Sequence, residues 1–360
     1  MAQHKLSVVQ VIDQLSIGGA ENVLVTLSNV LSRHGHPVTV VTTVAQGPLA
    51  ALLDKEVTII NIARKSKWGL TSMYRLYSII KKYDVIHVHS SYNLRYLFLA
   101  AKLFFLHKPI FFHEHFGDIE IDRTVKWHHR LIYPKTFMIC VSRKIYEWAA
   151  VNLKMNKNRL FILHNIVLKK QDLPPRKKKN DVIELLLVSN IRPTKNIEFA
   201  IEILYRLKQQ KPCSLTIVGQ KLDEAYYNAL TALISKYGLT ANVTMLHNVQ
   251  DIQPVLHKYD LAIHTAKSES GPLVLIEYLA QNLPFVTYNT GETVFQIQDA
   301  LPECIARSFN ADEWLARIEN ILTAPADNLT QKLATLYIDK FSAEAYYSKC
   351  LDIYQKGISL

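Results

Sequence analysis

Cysteine is scarce in this chain of 360 residues. The four present (Cys140, Cys213, Cys304 and Cys350) are scattered, with no CxxC pair and no close histidine partner. That spacing argues against structural zinc and against a disulfide framework, and suggests a reducing compartment. A long apolar run is also missing: the greasiest stretch, 96–106, is too short to span a bilayer and carries Lys102. The first residues lead straight into a strand pattern without the layout of a signal peptide. The expectation is a cytoplasmic protein with no membrane span, one that could still sit peripherally on the inner face of the cell membrane. Short repeats, low-complexity tracts and a GxGxxG fingerprint are absent as well, and no nucleic-acid recognition module accompanies the cations.

Charge is plentiful but uneven. Residues 1–166 hold 21 Lys and Arg against 10 Asp and Glu, whereas residues 181–360 hold 15 against 20. With the whole chain at +11, a basic first half joined to an acidic second half suggests that only the first half meets an anionic surface.

The first half alternates strand patterns (6–12, 38–43, 57–60, 85–89, 110–113, 137–141, 161–163) with helical ones, including 20–34, 70–82, 94–106 and 144–153. After a charged, proline-bearing stretch the alternation restarts. Strands are expected at 183–188, 215–218, 243–246, 261–264 and 285–288, and helices at 197–208, 224–237 and 273–281. Asn310 and Glu313 have the spacing of a capping box opening a helix to Leu322, and a last helix is expected over 343–355. Such alternation predicts an α/β protein of two doubly wound, Rossmann-like domains with ligands at the carboxyl ends of the strands. The expected division is a domain at 1–167, a basic linker at 168–181, a second domain at 182–341 and a C-terminal helix at 342–360. The run Arg176–Lys179 reads as solvated linker rather than a nucleic-acid patch.

The chemistry-bearing segments sit at those strand ends. Residues 269–277 read Glu-Ser-Gly-Pro-Leu-Val-Leu-Ile-Glu: two carboxylates eight positions apart across a Gly-Pro turn that opens a helix. The glycine permits close backbone approach, and the helix start offers free N–H groups and positive dipole to a diphosphate. Arg192 and Lys195, at another strand end, suit the same diphosphate, Arg by bidentate bonding and Lys as a point charge. The Gly18-Gly19 pair between the first strand and helix reads equally as a tight turn or an anion site. His113 and His115, with Asp118, Glu120, Asp122, His128 and His129 nearby, raise the question of a metal, but their spacing matches no compact ligand set, so none is expected.

The order of these segments resembles the family-four retaining glycosyltransferases of the GT-B fold. The resemblance covers nearly the whole chain: Gly18-Gly19-Ala20-Glu21, Phe112-His113, Cys140-Val141-Ser142, His164-Asn165, Arg192 with Lys195, Ile217-Val218-Gly219, and Glu269 with Glu277 in the Glu-x7-Glu element. It implies two domains facing a central cleft, with the C-terminal helix returning to the first. It implies that Glu277 holds the donor ribose and that Glu269 contacts the donor sugar. Backbone N–H groups of Gly271, Leu273 and Val274 would assist, and Lys195 would neutralise the leaving diphosphate. Gly19 would shape the loop beside it, and His113 would sit over the transferred sugar. Transfer would proceed with retention, with neither cofactor nor metal, from a nucleotide-sugar donor, UDP-sugar favoured over GDP-sugar. Two departures stand out. Ser189-Asn190 replace the family's usual Gly-Arg, leaving open whether Arg192 takes the role of the Arg expected at Asn190; and Asn165-Ile166-Val167 replaces Asn-Gly-Val.

The basic first half bears on the acceptor. Residues 65–83 mix cations with aromatic and aliphatic residues at helical spacing, which suits either an anionic leaflet or a simple core stripe. The leading expectation is a polyprenyl-diphosphate-linked saccharide acceptor, as in capsule, O-antigen or exopolysaccharide assembly. The alternatives are a soluble transferase acting on a small metabolite, a catalytically inactive nucleotide-sugar-binding protein, and a nucleotide-sugar epimerase on the same fold.

Overall fold

The computed structural model describes residues 5–66, 68–116, 119, 122–175, 182–249 and 251–360. The chain divides into two compact units, Met1–Ile166 with Ala343–Leu360, and Val167–Ser342.

The first unit runs β1 (Val8–Ile12), α1 (Gly19–Arg33), β2 (Val38–Thr42), β3 (Thr58–Asn61), α2 (Leu70–Ile80), β4 (Val85–His89), α3 (Ser91–Leu103), β5 (Ile110–Glu114), α4 (Trp127–Ile132), β6 (Phe137–Cys140), α5 (Arg143–Asn152) and β7 (Leu160–Ile162). Its seven strands lie parallel in the order β3-β2-β1-β4-β5-β6-β7. Parallel strands are covered on both faces, so they read as near-continuous apolar runs. β1, β2 and β6 are each fully buried, and β6 is apolar throughout. The interior strands break it at a few polar positions, Gln10, His87, His89 and His113, all without solvent exposure.

The second unit runs β8 (Ile183–Val188), α6 (Ile197–Lys208), β9 (Cys213–Val218), α7 (Glu224–Lys236), β10 (Val243–Leu246), β11 (Leu261–His264), α8 (Leu273–Ala280), β12 (Phe285–Tyr288), α9 (Glu292–Ile297), β13 (Ile305–Ala306), α10 (Ala311–Thr323) and α11 (Ala326–Phe341). Its six parallel strands take the order β10-β9-β8-β11-β12-β13. The order reverses between β8 and β11, and loops leaving those two carboxyl ends flank the switch point where open α/β sheets bind ligands. The two units with these parallel sheets have the GT-B architecture.

The final helix, α12 (Ala343–Ser359), packs with the first unit. Its Tyr347 ring stacks on His34 at 3.7 Å and its hydroxyl meets His36 Nε2 at 2.9 Å. Gly357 explains how closely it lies against the sheet: a Cβ there would stand 2.5 Å from the Phe111 ring. Residues 168–170, expected as linker, are tied to the second unit instead. Gln253 Nε2 donates to Leu168 O (2.8 Å), Lys169 N donates to the Tyr337 hydroxyl (2.8 Å) and Lys170 N to Gln253 Oε1 (3.0 Å). The run Arg176–Lys179 lies outside the described residues.

Burial pushes all four cysteine thiols up, Cys213 to about 11 and Cys304 and Cys350 to about 12, and all four are free. Uncharged, enclosed thiols of this kind are core residues.

Candidate functional site

Three loops of the second unit converge at the switch point. The first follows β8 through Arg192 into a short 3-10 turn, Pro193–Lys195, and Asn196 turns it into α6 with φ of 53°. The second follows β11 from His264 to Pro272, which precedes α8. The two loops are pinned together by backbone: Lys267 N donates to Thr194 O (2.9 Å), and the Thr265 hydroxyl donates to Lys195 O (3.0 Å).

That pinning places two opposite charges in contact. Lys195 Nζ lies 2.5 Å from Glu269 Oε1, with only 10% and 12% of the two side chains exposed. His264, buried at the end of β11, brings Nε2 to 3.2 Å from the same oxygen, while its Nδ1 faces the Thr287 hydroxyl at 3.2 Å. A carboxylate accepts only, so Nε2 carries the proton. Burial pushes the Glu269 carboxyl up, but the Lys195 charge and the His264 hydrogen bond outweigh it and hold it down to about 2. Glu269 is therefore a fixed anion, and Lys195 keeps two N–H bonds for another partner.

The third loop follows β12 and buttresses the second. Gly291 has φ of +84°, and a Cβ on it would meet Glu269 Cβ and Pro272 Cδ, each at 2.9 Å. Glu292 N donates to Ser270 O (2.8 Å) and Glu269 N to the Thr290 hydroxyl (3.3 Å). Sequence reading found Glu269 but not its supports. Gly291 and His264 become partners only through the pairing of β11 with β12, which sets His264 beside Thr287.

Pro272 takes extended backbone (ψ 115°), so α8 starts cleanly at Leu273, and the N–H groups of Leu273 and Val274 have no partner four residues back. Gly271 is buried in the turn before them. Glu277 lies on α8 with a partly buried side chain. Enough protein surrounds its carboxyl that burial, reinforced by the Asp251 charge, pushes it up to about 8. Asn190, where the family usually carries Arg, has a scaffolding contact: its Oδ1 accepts from Gln220 N at 3.2 Å. Arg192 is half-buried just before the Lys195 turn.

Gly19 and His113 belong to the first unit. Gly19 is the first residue of α1, and at the preceding Gly18 a Cβ would collide with the Glu21 carboxyl (2.4 Å). His113, the penultimate residue of β5, is wholly enclosed, whereas His115 beyond the strand is partly exposed, with ring centroids 4.2 Å apart. Of the histidines and acids weighed as a metal set, only His113 and His115 come together among the described residues. Asp122 turns locally onto Thr124 N (2.8 Å), and His128 and His129 pack as rings with Trp127, Tyr133 and Trp148. Asp118 and Glu120 lie outside the described residues. His113 also meets His87 and His89, neither of which sequence reading singled out. The signal was present: two histidines at alternate positions of an otherwise apolar strand.

Comparison with known proteins adds the family. A family model described as Glycosyl transferases group 1 matches residues 169–335, and one described as Glycosyltransferase Family 4 matches residues 17–167. The chain is 20% identical over 361 residues to the phosphatidylinositol N-acetylglucosaminyltransferase gpi3 subunit of Schizosaccharomyces pombe, spanning 94% of this chain and 74% of the relative. It is 23% identical over 258 residues to an uncharacterized 41.2 kDa protein in the cps region of Klebsiella pneumoniae, 65% of this chain and 69% of that one. The fold matches the crystal structure of Anabaena Alr3699/HepE in complex with UDP and glucose, with a TM-score of 0.81 at 15% identity over 97% of this chain and 99% of that one. With one model on each compact unit and both describing glycosyl transfer, the chain is a glycosyltransferase of the GT-B type.

Proposed function

We propose that this protein transfers a sugar, with retention of anomeric configuration and without a metal at the diphosphate, from a UDP-sugar to a saccharide carried on a polyprenyl diphosphate lipid. The observation that carries the donor half is the buried Lys195–Glu269–His264 group beside the start of α8. Lys195, Arg192 and the N–H groups of Gly271, Leu273 and Val274 receive the leaving diphosphate, so charge that develops on departure meets donors already in place. Glu269, anionic and held from two sides, orients sugar hydroxyls, and Glu277 accepts from the ribose. Gly19 shapes the loop at the start of α1. On the acceptor side, His115 presents the polar ring and His113 stands behind it. UDP is favoured because the similar Anabaena protein holds UDP and glucose.

Lipid linkage is supported by surface chemistry. The α2 stripe of Met73, Leu76 and Ile80 is core, as one of the two readings of this segment has it. A second set, Trp68 (75% exposed), Leu70 and Tyr74, faces solvent, and Phe105 after α3 is 78% exposed. The Tyr74 and Tyr77 rings pack on Phe104, while Lys81 lies over Tyr77 and Lys102 over Phe98. Aromatics with flanking cations suit the interface of an anionic leaflet. Among the described residues no helix is long and apolar enough to cross a membrane, so attachment on this reading is peripheral. The two similar proteins, one named for transfer to phosphatidylinositol and one for a cps region, agree with a lipid-borne or polysaccharide acceptor.

The test is UDP release from UDP-sugars by purified protein, with a polyprenyl-diphosphate saccharide in anionic vesicles. Release should require the lipid acceptor, need no added Mg2+ or Mn2+, give a product with the donor's anomeric configuration, and fall about a hundredfold in Glu269→Gln. Equal release with a soluble saccharide would refute the lipid acceptor, and inversion would refute retention.

A further inference from the structure

The first unit holds a buried group of imidazoles that donor chemistry does not use. β4 and β5 are hydrogen-bonded neighbours with His89 in register with His113, and His87 lies two residues back on the same face of β4. The His87 and His89 rings stack at 4.5 Å, and the His113 ring sits 5.2 and 5.3 Å from them. None of the three has any solvent exposure, and one ring nitrogen from each lies within 4.8 Å of the others. His115 extends the group, its Nε2 at 3.2 Å from His89 Nδ1.

Two further observations bear on the ring nitrogens. His87 Nδ1 meets the Tyr354 hydroxyl of α12 at 2.6 Å, and His89 Nε2 meets Gln10 Oε1 at 2.8 Å. Each contact engages one nitrogen and orients the ring, the arrangement that outer partners impose on metal-binding histidines, and the other nitrogen of His89 faces His115. Last, His87 Nε2 and both nitrogens of His113 find no hydrogen-bond partner, although buried polar atoms almost always have one.

We infer that His87, His89 and His113 form a binding site for a divalent transition metal, with His115 beside it. Imidazole ligands without a carboxylate or thiolate select the Zn2+, Co2+, Ni2+ and Cu2+ class over Mg2+ or Ca2+. The ligands come from two central strands, and Tyr354 orients one of them from α12. The metal would thus cross-link β4 and β5, with the C-terminal helix joined to it through the Tyr354 hydrogen bond. The site does not depend on the donor reading, whose charged residues Arg192, Lys195, Glu269 and Glu277 belong to the second unit.

The test uses the full chain, freed of metal with chelator and titrated separately with Zn2+ and Co2+. The expected result is one Co2+ per chain with the intense visible bands of a tetrahedral nitrogen site, displaced by Zn2+, and X-ray absorption showing three or four imidazole nitrogens at about 2.0–2.1 Å. Zn2+ should raise the melting temperature. His87→Phe with His113→Gln should abolish the bands, and Tyr354→Phe should weaken affinity about tenfold while leaving stoichiometry at one. A folded wild-type chain that binds neither ion overturns the inference. So does binding that persists in the double variant, or absorption data showing fewer than three imidazoles. If the double variant fails to fold, the wild-type absorption spectrum alone decides.

Discussion

Glu269 and Glu277 start from the same ordinary carboxyl and end on opposite sides of it, about 2 and about 8, because one has a lysine against it and the other does not. The signs of their contributions to stability therefore differ. For Glu269 the folded value lies below the model-peptide 4.5, so its stabilisation is present above that pH and is lost as pH falls towards 2. Glu269→Gln should cost about 3 kcal/mol at neutral pH, since it leaves the Lys195 charge buried without its counter-ion. Denaturant unfolding of the two proteins measures this directly. For Glu277 the folded value lies above 4.5, so stability falls as pH rises from there, and the loss is complete above about 8. Glu277→Gln removes that slope. Its melting temperature relative to wild type should be higher at pH 9 than at pH 6, and an unchanged difference would contradict the raised carboxyl.

At the scale of elements, Gly291 and Asn310 make the local geometry testable. Gly291→Ala meets both a left-handed backbone and two carbons at 2.9 Å. It should cost about 1–3 kcal/mol and weaken donor binding by displacing the Glu269 loop. Asn310 caps α10, its Oδ1 accepting from the N–H groups of Asp312 (2.8 Å) and Glu313 (3.3 Å), so Asn310→Ala should lower stability by about 1 kcal/mol without touching donor affinity. The return half of the expected capping box is absent. Glu313 accepts instead from the N–H groups of Arg307 and Ser308, bracing the turn before the helix.

Much of this level was legible in the chain. β4, β8, β10, β11, β12 and α6 have the boundaries that their apolar patterns predict, because buried parallel strands and amphipathic helices are the most strongly patterned elements. The short helices α4 and α9, six residues each, carry too little periodicity to register, and α11 follows a proline with a mixed face. The last helix runs on to Ser359, past the expected stop, because Gly357 is there to admit Phe111 rather than to end a helix. In the candidate site, Glu269, Glu277 and Lys195 were readable as charges at strand ends. His264, Gly291 and the His87–His89–His113 group were not, since strands distant in sequence bring them together.

On the scale of the whole molecule, the charge asymmetry and the exposed aromatic edge predict how the protein meets a membrane. It should sediment with anionic vesicles at low salt and detach as ionic strength rises, because the attraction acts over about a Debye length. Trp68→Ala with Phe105→Ala should weaken vesicle binding at every salt concentration while leaving UDP affinity intact, and equal sedimentation of variant and wild type would contradict a role for these side chains. In the proposed function the second unit's three-loop junction holds a nucleoside diphosphate-sugar. The most direct measurement is calorimetric titration with UDP, GDP and ADP of the wild type, Lys195→Met and Glu277→Gln. The expected result is one site per chain with UDP bound most tightly, and affinity at least about tenfold weaker in each variant. No binding of any of the three nucleotides, or equal affinities in all three proteins, would contradict it.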